Sequence, residues 1–168
     1  MNARFALIGA TLLSGALLLA GCGANPTDKL DFKPPAGWTA TPSMFGFKLW
    51  IKPKGQAAKD SSEIIFLMQL PSKAKIDLNK DFNPKDFDVK NPAGDLGVVE
   101  KSSKIAICGS HDARYLESVS TKSGKRADTE MIFTQWGSAT YMALYSRSAD
   151  APADPVAETA IRSVCQKT

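Results

Sequence analysis

A single histidine, His111, and three cysteines, Cys22, Cys108 and Cys165, limit the chemistry this chain of 168 residues can host. Ser72-Lys73-Ala74-Lys75 has the Ser-x-x-Lys spacing of acyl-serine enzymes, and Lys122-Ser123-Gly124 approximates the Lys-Thr-Gly box that accompanies it. That nucleophile must open a helix, whereas Ser72 follows an apolar run and Pro71 in a loop, and no Ser-Asp-Asn is present. A serine triad would have to use His111, which falls in a turn between strands, and no Gly-x-Ser-x-Gly occurs. Asp77, Asn79 and Asp81, with Asp88 at the twelfth place, follow part of a calcium-loop spacing. The glycine that such a loop needs at its sharp turn is replaced by Phe82, and Lys80 and Lys85 lower the local negative charge. No phosphate-cradling glycine loop is found. The residues therefore predict no catalytic set, no metal and no cofactor, and a protein that is not an enzyme.

The chain opens with Met1-Asn2-Ala3-Arg4, a short positive segment, and continues through an apolar run from Phe5 to Ala20. A basic start, an apolar centre and small residues at the end form the secretory pattern. A spanning helix would need about 20 apolar residues with anchoring flanks, and the run is shorter than that. The run ends in Leu19-Ala20-Gly21-Cys22, which resembles the bacterial lipobox. The resemblance implies cleavage before Cys22 after recognition of Leu19, Ala20 and Gly21, with acyl chains on the cysteine. Each buried methylene contributes about 0.8 kcal/mol, so several chains hold a protein on a membrane durably. Gly23, rather than aspartate, follows the cysteine; by the sorting rule of Gram-negative lipoproteins this favours an outer membrane address facing the periplasm.

Three segments follow: a removed signal over 1–21, a lipidated cysteine and flexible tether over 22–33, and a globular domain over 34–168. The tether would reach at most about 35 Å from the bilayer. The length suits one domain, able to bury roughly two thirds of its unfolded surface. A net charge of +4 without a basic block argues against nucleic acid as a partner. With Cys22 acylated, Cys108 and Cys165 are the thiols left in an oxidising compartment, and a disulfide between them is expected. Two separate thiols, or a zinc site, are the alternatives; zinc wants more Cys or His than this chain holds.

Phe45, Phe47, Leu49 and Ile51 alternate with Gly46, Lys48, Trp50 and Lys52, predicting a half-buried strand with its odd positions inside. Ile64 to Leu70 is apolar on both faces and reads as a central strand. Val98 to Ile107 is a further strand. Asp112 to Ser120 and Arg126 to Trp136 flank Ser123-Gly124 as a hairpin, and Thr140 to Tyr145 makes another strand. Asp154 can cap a helix with Pro155 at its first position. Ala157, Ala160, Ile161, Val164 and Cys165 would share its apolar face, placing Cys165 in the last turn. The expected class is α+β: one domain, an antiparallel meander-like sheet with a C-terminal helix packed on one face. Trp50 falls in phase with Lys48 and Lys52, so these three residues form a candidate partner surface. A second layer covering the tryptophan is the equal alternative.

Pro35-Ala36-Gly37-Trp38, the run Gly109-Ser110-His111-Asp112-Ala113 ahead of a strand, the aromatic strand Tyr141 to Tyr145 and a helix after Asp154-Pro155 together resemble the PsbP/Mog1-like fold. The similarity spans roughly Phe32 to Val164. It implies an antiparallel sheet covered by helices, an accessory or partner-binding role, and no catalytic residues. Two function classes follow. One is a lipid-anchored envelope protein, held through acyl chains on Cys22, that binds another envelope protein. The other is a carrier or sensor of a small apolar ligand, with a cavity lined by Met68, Met131, Phe133 and Met142.

Overall fold

A computed structural model describes residues 25–42, 46–53, 63–72, 76–81, 97–122 and 125–168. The short strand β1 (Leu30–Asp31) follows a 3-10 turn at Pro26–Lys29. Then come β2 (Thr39–Ala40), β3 (Phe47–Ile51), β4 (Ile64–Gln69), β5 (Val98–Ile107), β6 (His111–Lys122), β7 (Lys125–Trp136) and β8 (Ala139–Ser148). Helix α1 (Pro155–Arg162) and the short β9 (Cys165–Gln166) close the chain. Strands β2 to β8 form one seven-stranded sheet in the order β2-β3-β4-β8-β7-β6-β5, and β1 pairs with β9 beside it. All the pairings are antiparallel.

The expected α+β class is corrected: the protein is mostly β, with one short helix of eight residues among the described ones. The helix starts where Asp154 and Pro155 predict, because the Asp154 carboxylate accepts from the Val156 and Ala157 N–H groups. Its end comes earlier than the apolar spacing suggests. Ser163 turns its hydroxyl and its N–H back onto the Ala160 carbonyl, at 2.8 and 3.1 Å. Cys165 and Gln166 then pair with Asp31 and Leu30, so Cys165 lies in a strand and not in a helical turn. The periodic residues Ala157, Ala160, Ile161 and Val164 are all buried nonetheless. Period alone does not distinguish a last helical turn from a strand that continues to bury the same side chains.

Both faces of the sheet carry apolar residues. On the face under α1, Trp50, Ile65, Tyr115, Ile132 and Tyr145 pack with Ala157 and Ile161. On the opposite face, Phe66, Leu116, Met131, Phe133, Met142 and Leu144 pack together. Cross-strand register explains the division: Trp50, Ile65 and Tyr145 form one row, while Leu49, Phe66, Leu144, Met131 and Leu116 form the next. Strand β3 is therefore not half-buried in the expected phase. Phe47 and Leu49 are partly buried against one face, Trp50 is buried in the other, and Ile51 is exposed. Phe45 lies outside the described residues.

The tether reading over 22–33 is corrected for its later part. Asn25 caps the 3-10 turn through the Thr27 N–H, Thr27 and Leu30 are buried, and the Lys167 N–H donates to the Lys29 carbonyl. Phe32 packs on Trp50 with ring centroids 4.8 Å apart. These residues dock onto the domain because they carry the apolar cover that Trp50 requires.

Candidate functional site

The lipidation site Cys22, with Leu19, Ala20 and Gly21, lies outside the described residues, as do Lys75, the Ser123-Gly124 turn and the later part of the calcium-like loop. Ser72 is exposed just after β4. Asp77 accepts from the Asn79 N–H at 3.0 Å and faces Lys80, a local turn. Among the described residues, no group of three or more His, Cys, Asp or Glu is poised to hold a metal ion. None of their helices is long and apolar enough to cross a membrane. His111 sits at the start of β6, where Nε2 lies 2.8 Å from the Gln135 carbonyl and the ring stacks on Trp136 at 4.9 Å. Its contacts are those of a side chain fastening the β5–β6 turn to β7.

Cys108 and Cys165 form the expected disulfide, with Cα atoms 5.6 Å apart. It joins the β5–β6 turn to β9. Cys108 has φ 50°, a left-handed conformation uncommon for a side-chain-bearing residue, and Gly109 follows at φ 83°.

The proposed surface of Lys48, Trp50 and Lys52 does not exist as an exposed patch. Trp50 is 8% exposed, covered by Phe32 and the core below α1. Lys48 pairs with Asp28 of the 3-10 turn at 2.7 Å. Lys52 bridges Glu63 and Asp154, each at 2.9 Å, and those two bonds raise its ammonium above the usual lysine range. Glu63 also accepts from the Tyr145 hydroxyl at 2.6 Å, and Tyr145 in turn accepts from the Asp154 N–H. Burial tends to raise the Asp154 carboxyl, but Lys52 and the helix N–H groups hold it below the usual aspartate range. The lysine phase that looked like an outer face is thus an ionic seam that ties β3 and the residue before β4 to the start of α1.

A second polar cluster, which the sequence reading did not single out, lies farther along the same face. Trp50, Ile65, Tyr145, Glu130, Glu117 and Lys101 occupy one cross-strand row, so the row turns from apolar to charged as it runs toward the β5 edge. Glu117 and Glu130 stand directly opposite each other. The buried Tyr115 hydroxyl lies 2.8 Å from Glu117 Oε1 and 2.7 Å from Glu130 Oε2. Arg162 of α1 covers the Tyr115 ring at 4.2 Å and reaches Glu130 at 3.8 Å. Lys101 bonds Glu117 at 2.8 Å and holds its carboxyl below the usual range. Glu130 goes the other way: burial raises it, and Glu158 of α1 raises it further, against the Tyr115 hydroxyl and Arg162. The signal available in the sequence was Glu117 in phase with Tyr115 and Glu130 in phase with Ile132, both core residues, but only the register brings the two carboxyls together.

Two hollows border these elements. A small one of about 110 Å³ runs beside the cluster along Glu117, Asp128, Glu130 and Arg147. A wider open cleft of about 640 Å³ lies at the far end of the sheet, lined by Gln69, Leu70, Ile76, Asp77, Gln135 and Thr140. Met131, Phe133 and Met142 line neither; they are buried in the core of the opposite face, with Met68 packed against it.

No family model and no curated protein sequence matches the chain. A Bacteroides thetaiotaomicron protein has a similar fold, with a TM-score of 0.52 and 15% identity over 85% of this chain. The match spans 47% of that protein, about half its length. Looser likenesses are with LpqN of Mycobacterium tuberculosis, involved in cell envelope biogenesis (TM-score 0.43, 15% identity, 80% of this chain and 82% of that one), and human STARD10 (TM-score 0.31, 10% identity, 79% and 68%). At these identities the Bacteroides likeness shows a shared fold alone.

Proposed function

We propose that the protein is a non-catalytic lipoprotein of the bacterial envelope, anchored through acyl chains on Cys22 and acting as an accessory or partner-binding protein. The observation that carries this reading is Leu19-Ala20-Gly21-Cys22 at the end of an apolar run behind Arg4. The Cys108–Cys165 bridge supports it, because such bonds persist in exported proteins. Gly23 favours the outer membrane, with the domain facing the periplasm. The resemblance to the PsbP/Mog1-like fold belongs to the same reading and implies the accessory role. A carrier of a small apolar ligand would need room beside Met68, Met131, Phe133 and Met142. The packing of Met131 and Phe133, both at 0% exposure, favours the partner-binding role.

Mass spectrometry of the protein extracted from bacterial membranes tests the reading. The expected N-terminal peptide begins at Cys22 and carries acyl chains on its thiol. A peptide beginning elsewhere, or an unmodified Cys22, would overturn it.

A further inference from the structure

Three oxygens from Tyr115, Glu117 and Glu130 meet within hydrogen-bond distance under α1, and a phenol has one proton to give. If both carboxylates were ionised, the Tyr115 hydroxyl could satisfy one of its contacts at 2.7 and 2.8 Å, leaving the other as two lone pairs facing each other. Like charges directly opposite across paired strands are themselves destabilising, and Glu117 and Glu130 are such a pair. Glu158 of α1 adds a third carboxyl, whose charge raises Glu130 further from the helix side.

We propose that the docking of α1 on the sheet is proton-linked: this cluster holds one proton beyond that of the phenol, resident on Glu130, and its loss loosens the helix. The surrounding groups decide where the proton sits. On β6, Glu117 is paired with Lys101 of β5, which keeps it ionised. On α1, Arg162 faces both Tyr115 and Glu130, but at 3.8 Å it makes no close bond to the carboxyl. On β8, Tyr145 stands opposite Glu130 and is committed to Glu63, while the neighbouring Arg147 is paired with Asp128 at 3.1 Å. Glu130, with its side chain 15% exposed, is therefore paired with a cation only at 3.8 Å, by an Arg162 that also faces the Tyr115 ring, a longer contact than the 2.8 Å between Lys101 and Glu117. Protonated, it donates to the Tyr115 oxygen, which leaves the phenol proton for Glu117 and satisfies both contacts. Ionised, it repels Glu117 and Glu158 at once, and the repulsion from Glu158 acts directly on the helix. What α1 covers is apolar, including Ile132 and the Tyr115 ring, so loosening the helix uncovers an apolar surface as pH rises.

The sign follows from linkage. A carboxyl that titrates higher in the folded state favours the fold while it is protonated. Stability then falls as pH rises from the ordinary glutamate range to the raised one, and is level beyond it. The proposal stands or falls separately from the lipid anchor, since it concerns the folded domain alone.

The test is a carboxyl-carbon NMR titration of the mature protein in detergent, with hydrogen exchange of the α1 amides corrected for intrinsic rates. The Glu130 resonance should titrate above the ordinary glutamate range. Protection of α1 should fall by about tenfold for each pH unit separating the folded and unfolded titrations. Glu130→Gln, which keeps a neutral donor and acceptor in place, should remove the pH dependence of that protection. Should that variant fail to fold, Glu158→Gln supplies the second reading, lowering the Glu130 titration toward the ordinary range. An ordinary Glu130 titration in the wild type, or α1 protection with the same pH profile in Glu130→Gln, would overturn the proposal.

Discussion

Trp50, 8% exposed, packs between Phe32 and the core below α1. Its phase with Lys48 and Lys52 was legible, and so was the strand, but alternation reports which residues share a face, not whether that face is wet. The cover comes from Phe32 and from α1, far away in sequence, and no local pattern announces it. Trp50→Ala should therefore cost about 3–5 kcal/mol in urea unfolding. Lys48→Ala, whose pair with Asp28 is partly solvated, should cost less than about 1 kcal/mol. Equal small effects at both positions would mean that the tryptophan is not core. Glu117 and Glu130 illustrate the converse: each reads as an ordinary strand glutamate, and only the register between β6 and β7 makes them neighbours.

Helix α1 and β9 divide between what spacing tells and what it does not. The Asp154-Pro155 start was readable because capping is local chemistry, and the structure shows both cap bonds. The end was not readable, because Cys165 and Gln166 find their partners in Leu30 and Asp31 at the other end of the domain. Asp154→Ala should cost about 0.5–2 kcal/mol, the usual loss of a cap. Since the Asp154 carboxyl is held low, that stabilisation should be full above the ordinary aspartate range and fade as pH falls through the lowered value. A loss that did not fade in acid would point to packing rather than to the charge. The disulfide acts on the same elements by tying β9 to the β5–β6 turn. Its sequence separation of 57 corresponds to about 4 kcal/mol in the chain-entropy model, so unfolding with and without reductant should differ by about that amount. Identical curves would mean the bridge is not formed.

At the scale of the whole molecule, the sheet itself was largely legible: the long strands β5 to β8 and the central β4 lie close to where their apolar runs place them. The balance of helix and strand was not. A domain with two apolar sheet faces needs cover on both, and the expectation placed one helix on one face; on that α1 face, the docked segment from Pro26 to Phe32 supplies part of the cover. Membrane anchoring depends on what lies ahead of that segment, at Cys22. Detergent phase partitioning of the wild-type protein and of Cys22→Ser, both expressed in a bacterium, tests it most directly. The wild type should enter the detergent phase, while Cys22→Ser should yield a product without acyl chains, either uncleaved or soluble. A Cys22→Ser protein that has lost its signal and still partitions fully into detergent would contradict it.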